Sequence, residues 1–141
     1  MKVEWGTICE QIDAAQTPRI DLLAANSAGV YLVGQTVPAD VAVTLALCIV
    51  GTREEAAVGG ILNVAVIVLR PDGTVAGGTN LIWAFEEGRR PEFPEPPVRQ
   101  IVPLHFAFVA DVEGPYGVVI RVEGEDALML PYAVVCVPDG T

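Results

Sequence analysis

An all-β fold, an antiparallel β-sandwich of about eight strands on an immunoglobulin-like or jelly-roll-like plan, is predicted by three features of the sequence. Apolar runs of five to ten residues, rich in Val, Ile, Leu and aromatics, recur along the chain and are punctuated by Gly, Pro or Asp, which is how strands read. Several runs alternate: in LHFAFVA, Leu104, Phe106 and Phe108 share one face and His105 takes the other, and in YGVVIRV, Tyr116, Val118, Ile120 and Val122 share one. Side chains of a half-buried strand divide in this way. No segment of useful length carries the 3.6-residue period of an amphipathic helix.

In chain order the strands fall at Val3–Ile12, Arg19–Ala25, Val41–Val50, Ile61–Arg70, Thr79–Phe85, Arg99–Ala110, Tyr116–Val122 and Leu128–Val137. Turn chemistry lies between them. Pro71-Asp72-Gly73 combines a preset φ with a residue that accepts positive φ, so the chain reverses there. Glu113-Gly114-Pro115 and Glu123-Gly124-Glu125-Asp126 bracket Tyr116–Val122 in the same manner. The pairs Gly59-Gly60 and Gly77-Gly78 lack the lysine and the strand-to-helix setting of a phosphate loop, and read as turns or bulges. Glu10–Ala15 and Glu54–Val58 have helical character but are too short to stand alone; the second reads as one helical turn between long strands.

At 141 residues the chain has the size of a single domain, spanning 1–141, with one core. Residues 86–98, EEGRRPEFPEPPV, hold four prolines and six charges. A linker there would leave about three strands beyond it, too few for an independent core, so the stretch is an internal loop, stiffened toward polyproline II.

Net charge is −10 and the basic residues are scattered. Phosphate binding relies on clustered Lys and Arg, so neither nucleic acid nor an anionic membrane surface is expected as a partner. Mean hydropathy is +0.47, yet no apolar run approaches the ~20 residues of a membrane span. The opening MKVEWGTICEQID has no apolar signal core, which predicts a cytoplasmic chain. Three cysteines, Cys9, Cys48 and Cys136, lie far apart in apolar runs without a C-x-x-C pair, and read as buried reduced thiols.

The succession TICEQIDAAQTPRIDLLAA, VAVTLALCIV, NVAVIVLRPDGTV and VEGPYGVVIRVEGE resembles a family of small uncharacterised bacterial β-sandwich proteins with a domain of unknown function. The resemblance covers nearly the whole chain and implies a β-sandwich. It carries no activity, and the segment Ala24–Gly34 departs from its pattern.

Catalytic chemistry finds no foothold, and no catalytic residue, metal site or cofactor is expected. His105 is the lone histidine and Ser27 the lone serine, the latter without a G-x-S-x-G elbow; a strand histidine opposite the core face is a surface or hydrogen-bonded residue. Zinc needs more ligands at closer spacing. Asp72, Asp111, Glu113, Glu125 and Asp126 lie in turns and offer calcium a set of loop carboxylates. Trp5, Tyr31, Trp83 and Phe85 offer a sugar a stacking platform.

The expected function is therefore a non-enzymatic protein-interaction or assembly module. The alternatives are a carbohydrate- or calcium-binding module, or a hydrolase with an unrecognised acidic site. Two surfaces are candidates for contact. Phe93 is the expected anchor of the proline-rich loop, with Arg89 and Arg90 at its rim and Pro94 and Pro97 in a P-x-x-P pattern. The strand Ile61–Arg70 is apolar on both faces, which leaves an apolar outer sheet face, assigned to Leu62, Val64, Val66 and Val68, for a second copy to cover in a homo-oligomer, most simply a dimer.

Overall fold

The computed structural model of the chain describes residues 1–13, 21–23, 28–52, 54–55, 58–84 and 98–139. Ten strands follow in order: β1 (Lys2–Cys9), β2 (Gln11–Asp13), β3 (Asp21–Leu23), β4 (Gly29–Val33), β5 (Ala39–Gly51), β6 (Ile61–Leu69), β7 (Val75–Ala84), β8 (Val98–Ala110), β9 (Gly114–Val122) and β10 (Glu125–Val137). They form a three-stranded sheet in the order β1-β5-β8, a five-stranded sheet in the order β4-β10-β9-β6-β7, and the small β2-β3 pair. The two large sheets close on one core, in which Leu45, Leu47 and Ile49 of β5 meet Val64, Val66 and Val68 of β6, with Val118 and Ile120 of β9 and Val134 of β10.

This is an immunoglobulin-like sandwich. Strands β1, β5 and β8 take the places of A, B and E, and β6, β9 and β10 those of C, F and G, with β7 added as C′. Residues 85–97, between β7 and β8, lie outside the described residues. A tyrosine corner marks the entry to β9: the Tyr116 hydroxyl donates to the Val112 carbonyl at 2.7 Å and accepts from the Val112 N–H at 3.3 Å. Both backbone groups of the corner are thereby satisfied. The Tyr116 ring packs on Phe108 of the opposite sheet at 5.3 Å, and Phe108 meets Tyr132 edge-on at 6.5 Å. Two residues past such a tyrosine, antibody domains carry the second cysteine of their inter-sheet disulfide. Here Val118 stands in that place, fully buried, so apolar packing alone joins the sheets there.

The hairpin β9–β10 turns on Glu123 and Gly124, with φ of 50° and 83°, the doubly positive pair of a type I′ turn. Glu123 tolerates this conformation while its carboxylate accepts from the Asn63 N–H at 2.9 Å and its own N–H donates to the Asn63 carbonyl at 3.0 Å. The turn is thus stitched to the start of β6. At the other end, Asp72 closes the β6–β7 turn by accepting from the Thr74 N–H and hydroxyl at 2.9 and 2.6 Å. Glu54–Glu55 forms the expected helical turn, and Thr52 and Glu55 build a capping box: the Thr52 N–H donates to Glu55 at 2.9 Å and the Glu55 N–H to Thr52 at 3.1 Å.

Three expectations need correcting. The expected strand Val3–Ile12 is divided into two, β1 and β2, and a further strand, β4, occupies Gly29–Val33. It joins the sheet edge in parallel with β10, pairing Val30 with Val134 and Leu32 with Cys136, so the sandwich is not wholly antiparallel. Third, Leu62, Val64, Val66 and Val68 form the inner face of β6: each is almost fully buried. Their register fixes this, since Val64, Val66 and Val68 lie beside Val122, Ile120 and Val118 of β9, which face the core. The outer face of β6 is Ile61, Asn63, Ala65, Ile67 and Leu69. Alternation divided the two sets correctly but could not orient them. Asn63, the single polar member, was the sign of the solvent side.

Candidate interaction surface

The outer face of the five-stranded sheet is built by register. Leu69, Gly117 and Pro131 stand side by side across β6, β9 and β10, and Ile67, Val119 and Met129 form the next row. Farther along β10, Val135 lies beside Tyr31 and Val137 beside Val33. On the far edge, Ile82 of β7 lies beside Asn63, and Ala84 beside Ile61. Large apolar side chains here are open to solvent: Tyr31 is 73% exposed, Ile82 72%, Met129 66%, Ile61 61% and Val33 58%. On β6 these exposed side chains lie on the face opposite to Leu62, Val64, Val66 and Val68.

Glycines shape its floor. Gly78 cannot carry a side chain, because a Cβ would lie 2.3 Å from the Val66 carbonyl oxygen. At Gly117 the empty position is spanned by Met129, whose methyl would sit 2.6 Å from an added Cβ. Beside it a cavity of about 430 Å³ opens between Leu69, Pro71, Pro115, Gly117, Met129 and Pro131. Its lining is apolar apart from Arg70, whose Nε donates to both carboxylate oxygens of Asp111 at 2.9 and 3.1 Å and whose Nη1 reaches the Thr74 hydroxyl at 3.3 Å. Arg121, on the same face, donates to Asp126 at 2.8 Å. Both arginines of this face are neutralised in place.

The remaining candidate residues scatter. Asp72, Asp111 and Glu113 lie at the end of the sandwich where β9 begins, and Glu125 and Asp126 at the end where it finishes. Several have partners already: Asp72 holds Thr74, Asp111 holds Arg70, Asp126 holds Arg121, and Glu113 accepts from the Cys136 N–H at 2.6 Å. Among the described residues no group of three or more His, Cys, Asp and Glu side chains is placed to hold a metal ion. Trp83 packs against the core, Trp5 lies on β1 and Tyr31 on β4 in the other sheet, so they form no common platform; Phe85 lies outside the described residues, as does Ser27. His105 is exposed, its Nδ1 at 3.1 Å from the Thr44 hydroxyl. Phe93, Arg89, Arg90, Pro94 and Pro97 also lie outside the described residues.

None of the three cysteines is in a disulfide; Cys9 and Cys48 are buried and Cys136 half-buried. Burial pushes the Cys9 thiol above its ordinary range. Cys48 donates weakly to Glu4 at 3.8 Å, and Glu4 is held below the usual carboxylate range by Arg99, whose Nε donates to it at 2.6 Å. No described helix is long and apolar enough to cross a membrane.

The fold and this face define an immunoglobulin-like domain with an apolar sheet face. No family model and no curated protein matches the chain. Among solved structures it is similar to a glycosyl hydrolase family 2 member from Bacteroides cellulosilyticus, with 11% identity and a TM-score of 0.49 over 90% of this chain and 13% of that one. An alkylpurine DNA glycosylase from Pseudomonas fluorescens, bound to DNA with an abasic-site analogue, aligns at 13% identity and a TM-score of 0.47 over 76% of this chain and 27% of that one. An immunoglobulin-like protein from Pseudomonas aeruginosa aligns at 10% identity and a TM-score of 0.35 over 95% of this chain and 92% of that one. The chain thus spans 13% and 27% of the first two.

Proposed function

We propose that the chain is a non-enzymatic protein-interaction module that docks a second copy of itself through the outer face of the five-stranded sheet. The observation that supports this is the exposure of Tyr31, Val33, Ile61, Ile82 and Met129 on the same face of the sheet. Soluble domains seldom leave such surface uncovered. Five strands at ~4.8 Å spacing and strands of nine residues at ~3.3 Å rise give a face of roughly 700 Å², close to the ~800 Å² per partner of a standard interface. Charge does not single out a cationic partner here: although the chain carries a net charge of −10, the arginines of this face are each paired with an aspartate of the same chain. We also propose a cytoplasmic location, which three cysteines outside any disulfide support.

Light scattering across about 1 to 100 µM, the range in which weak dimers form, tests it. Twice the 14.9 kDa of one chain is expected at the upper end, and Ile82→Asp should shift the species toward monomer. A wild-type mass that stays at one chain throughout overturns the proposal.

A further inference from the structure

We propose that this self-association is keyed by Tyr31, each copy seating its phenol ring in the other's cavity beside Met129 and Pro131. The inference rests on the docking reading above and names its anchor. Tyr31 is 73% exposed, more than any other aromatic side chain among the described residues, and it projects from an edge strand of only five residues onto the same face as the 430 Å³ cavity. Knob and cavity are close. Tyr31 lies beside Val135, and the cavity wall at Pro131 is four residues back along β10, about 13 Å along the sheet and about 5 Å across it.

A two-fold axis in the plane of the face that bisects the line from knob to cavity carries each onto the other. Both contacts therefore form at once, as an isologous interface requires. The chemistry of the lining selects this occupant. Leu69, Pro71, Pro115, Gly117 and Pro131 present rigid apolar walls, and Met129 is a flexible, polarizable one that favours aromatic rings. Arg70 is held by Asp111 and Thr74, so no convergent set of free polar groups remains to orient a small molecule. Tyrosine suits such a seat, burying its ring while its hydroxyl reaches the wet rim.

Two variants and their mixture test the pairing by analytical ultracentrifugation, with circular dichroism as a check on folding. Tyr31→Ala removes the knob and keeps the cavity; Met129→Trp fills the cavity and keeps the knob. Each alone should weaken dimerisation about tenfold or more, as loss of an anchor does. Their equimolar mixture should associate more tightly than either alone, since a mixed dimer regains one knob in one cavity. If the wild type dimerises and neither variant weakens it, Tyr31 is not the key while the docking face stands. If both weaken it and the mixture shows no recovery, the reciprocal pairing is wrong. A monomeric wild type overturns the docking reading together with this one.

Discussion

Single side chains hold the corners of this sandwich, and their removal has sizes that can be anticipated. Tyr116 satisfies both the N–H and the carbonyl of Val112, so Tyr116→Phe leaves two backbone groups to find other partners. Each lost bond of this kind costs roughly 0.5–1.5 kcal/mol, and chemical denaturation should register a total loss of about 1–2 kcal/mol with an unchanged fold. Gln100 is the contrary case. It is almost fully buried on β8, and its Oε1 has no hydrogen-bond partner among the described residues, although the sequence places it beside Arg99 at the edge of the proline-rich loop. Leaving a buried acceptor unmade is expensive, whereas an apolar group of similar shape avoids the penalty. Gln100→Met is therefore expected to leave stability equal or raise it by up to about 1 kcal/mol, read from the shift in denaturation midpoint. A marked loss would show that the amide has a partner in the folded protein.

Turns and strands record how far local sequence determines this fold. Gly124 sits at φ 83° in the β9–β10 turn, where a Cβ meets strain whatever the free space. Gly124→Ala should cost about 1 kcal/mol without moving the dimerisation constant, because the turn lies at the end of the face. Such turns were legible because their residues act locally: Pro71-Asp72-Gly73 and Glu123-Gly124 need only their own backbone. The longer strands were legible for a similar reason, since β8 buries Val102, Phe106 and Phe108 in alternation while β5 and β9 bury the unbroken apolar runs Leu45–Val50 and Tyr116–Ile120. Strand β4 was not. GVYLVGQ is short, flanked by glycine, and gains its place only by pairing with β10 in parallel, a contact no local pattern announces. The orientation of β6 failed for another reason, because both its faces are apolar and the deciding information lies in its neighbours. Tyr31 could have been found from the alternation of Val30 and Leu32 inward with Tyr31 and Val33 outward.

At the scale of the whole molecule, stability should form a plateau with two shoulders. Glu4 is held below its ordinary pKa of 4.5 by Arg99, Asp72 below 3.8 by Thr74, and Glu123 below 4.5 by Asn63. Because the unfolded chain takes up protons at these sites before the folded one does, their contribution is complete above the ordinary values and fades as pH falls through the lower, folded ones. Cys9 and Tyr132 are displaced upward by burial from ordinary values of 9.0 and 10.0. There the unfolded chain ionises first, so stability drops as pH climbs past 9.0 and toward the raised folded values. Urea midpoints across this range should show both shoulders, with the acid one shallower in Glu123→Gln; an acid shoulder unchanged by that substitution would remove Glu123 from the account. Added reductant should leave the midpoint where it is, as Val118 replaces a sulfur bridge. Thiol labelling should proceed first at Cys136, with Cys9 and Cys48 following only on unfolding.

The parallel pairing of β4 with β10 also sets an order in time. Residues 29–33 find their strand partner among residues 133–137, so this edge of the sheet stays open until nearly the whole described chain has been synthesised. Contacts that distant in sequence belong to domains that fold in milliseconds to seconds rather than microseconds. During that interval Tyr31 and Val33 have no strand beside them, and the uncharged stretch Val75–Ala84 of β7, an edge among the described strands, is of the kind that captures foreign strands. The newborn chain is consequently most vulnerable to aggregation just before its last strand arrives, and slowing translation ahead of residue 125 should lower its soluble yield.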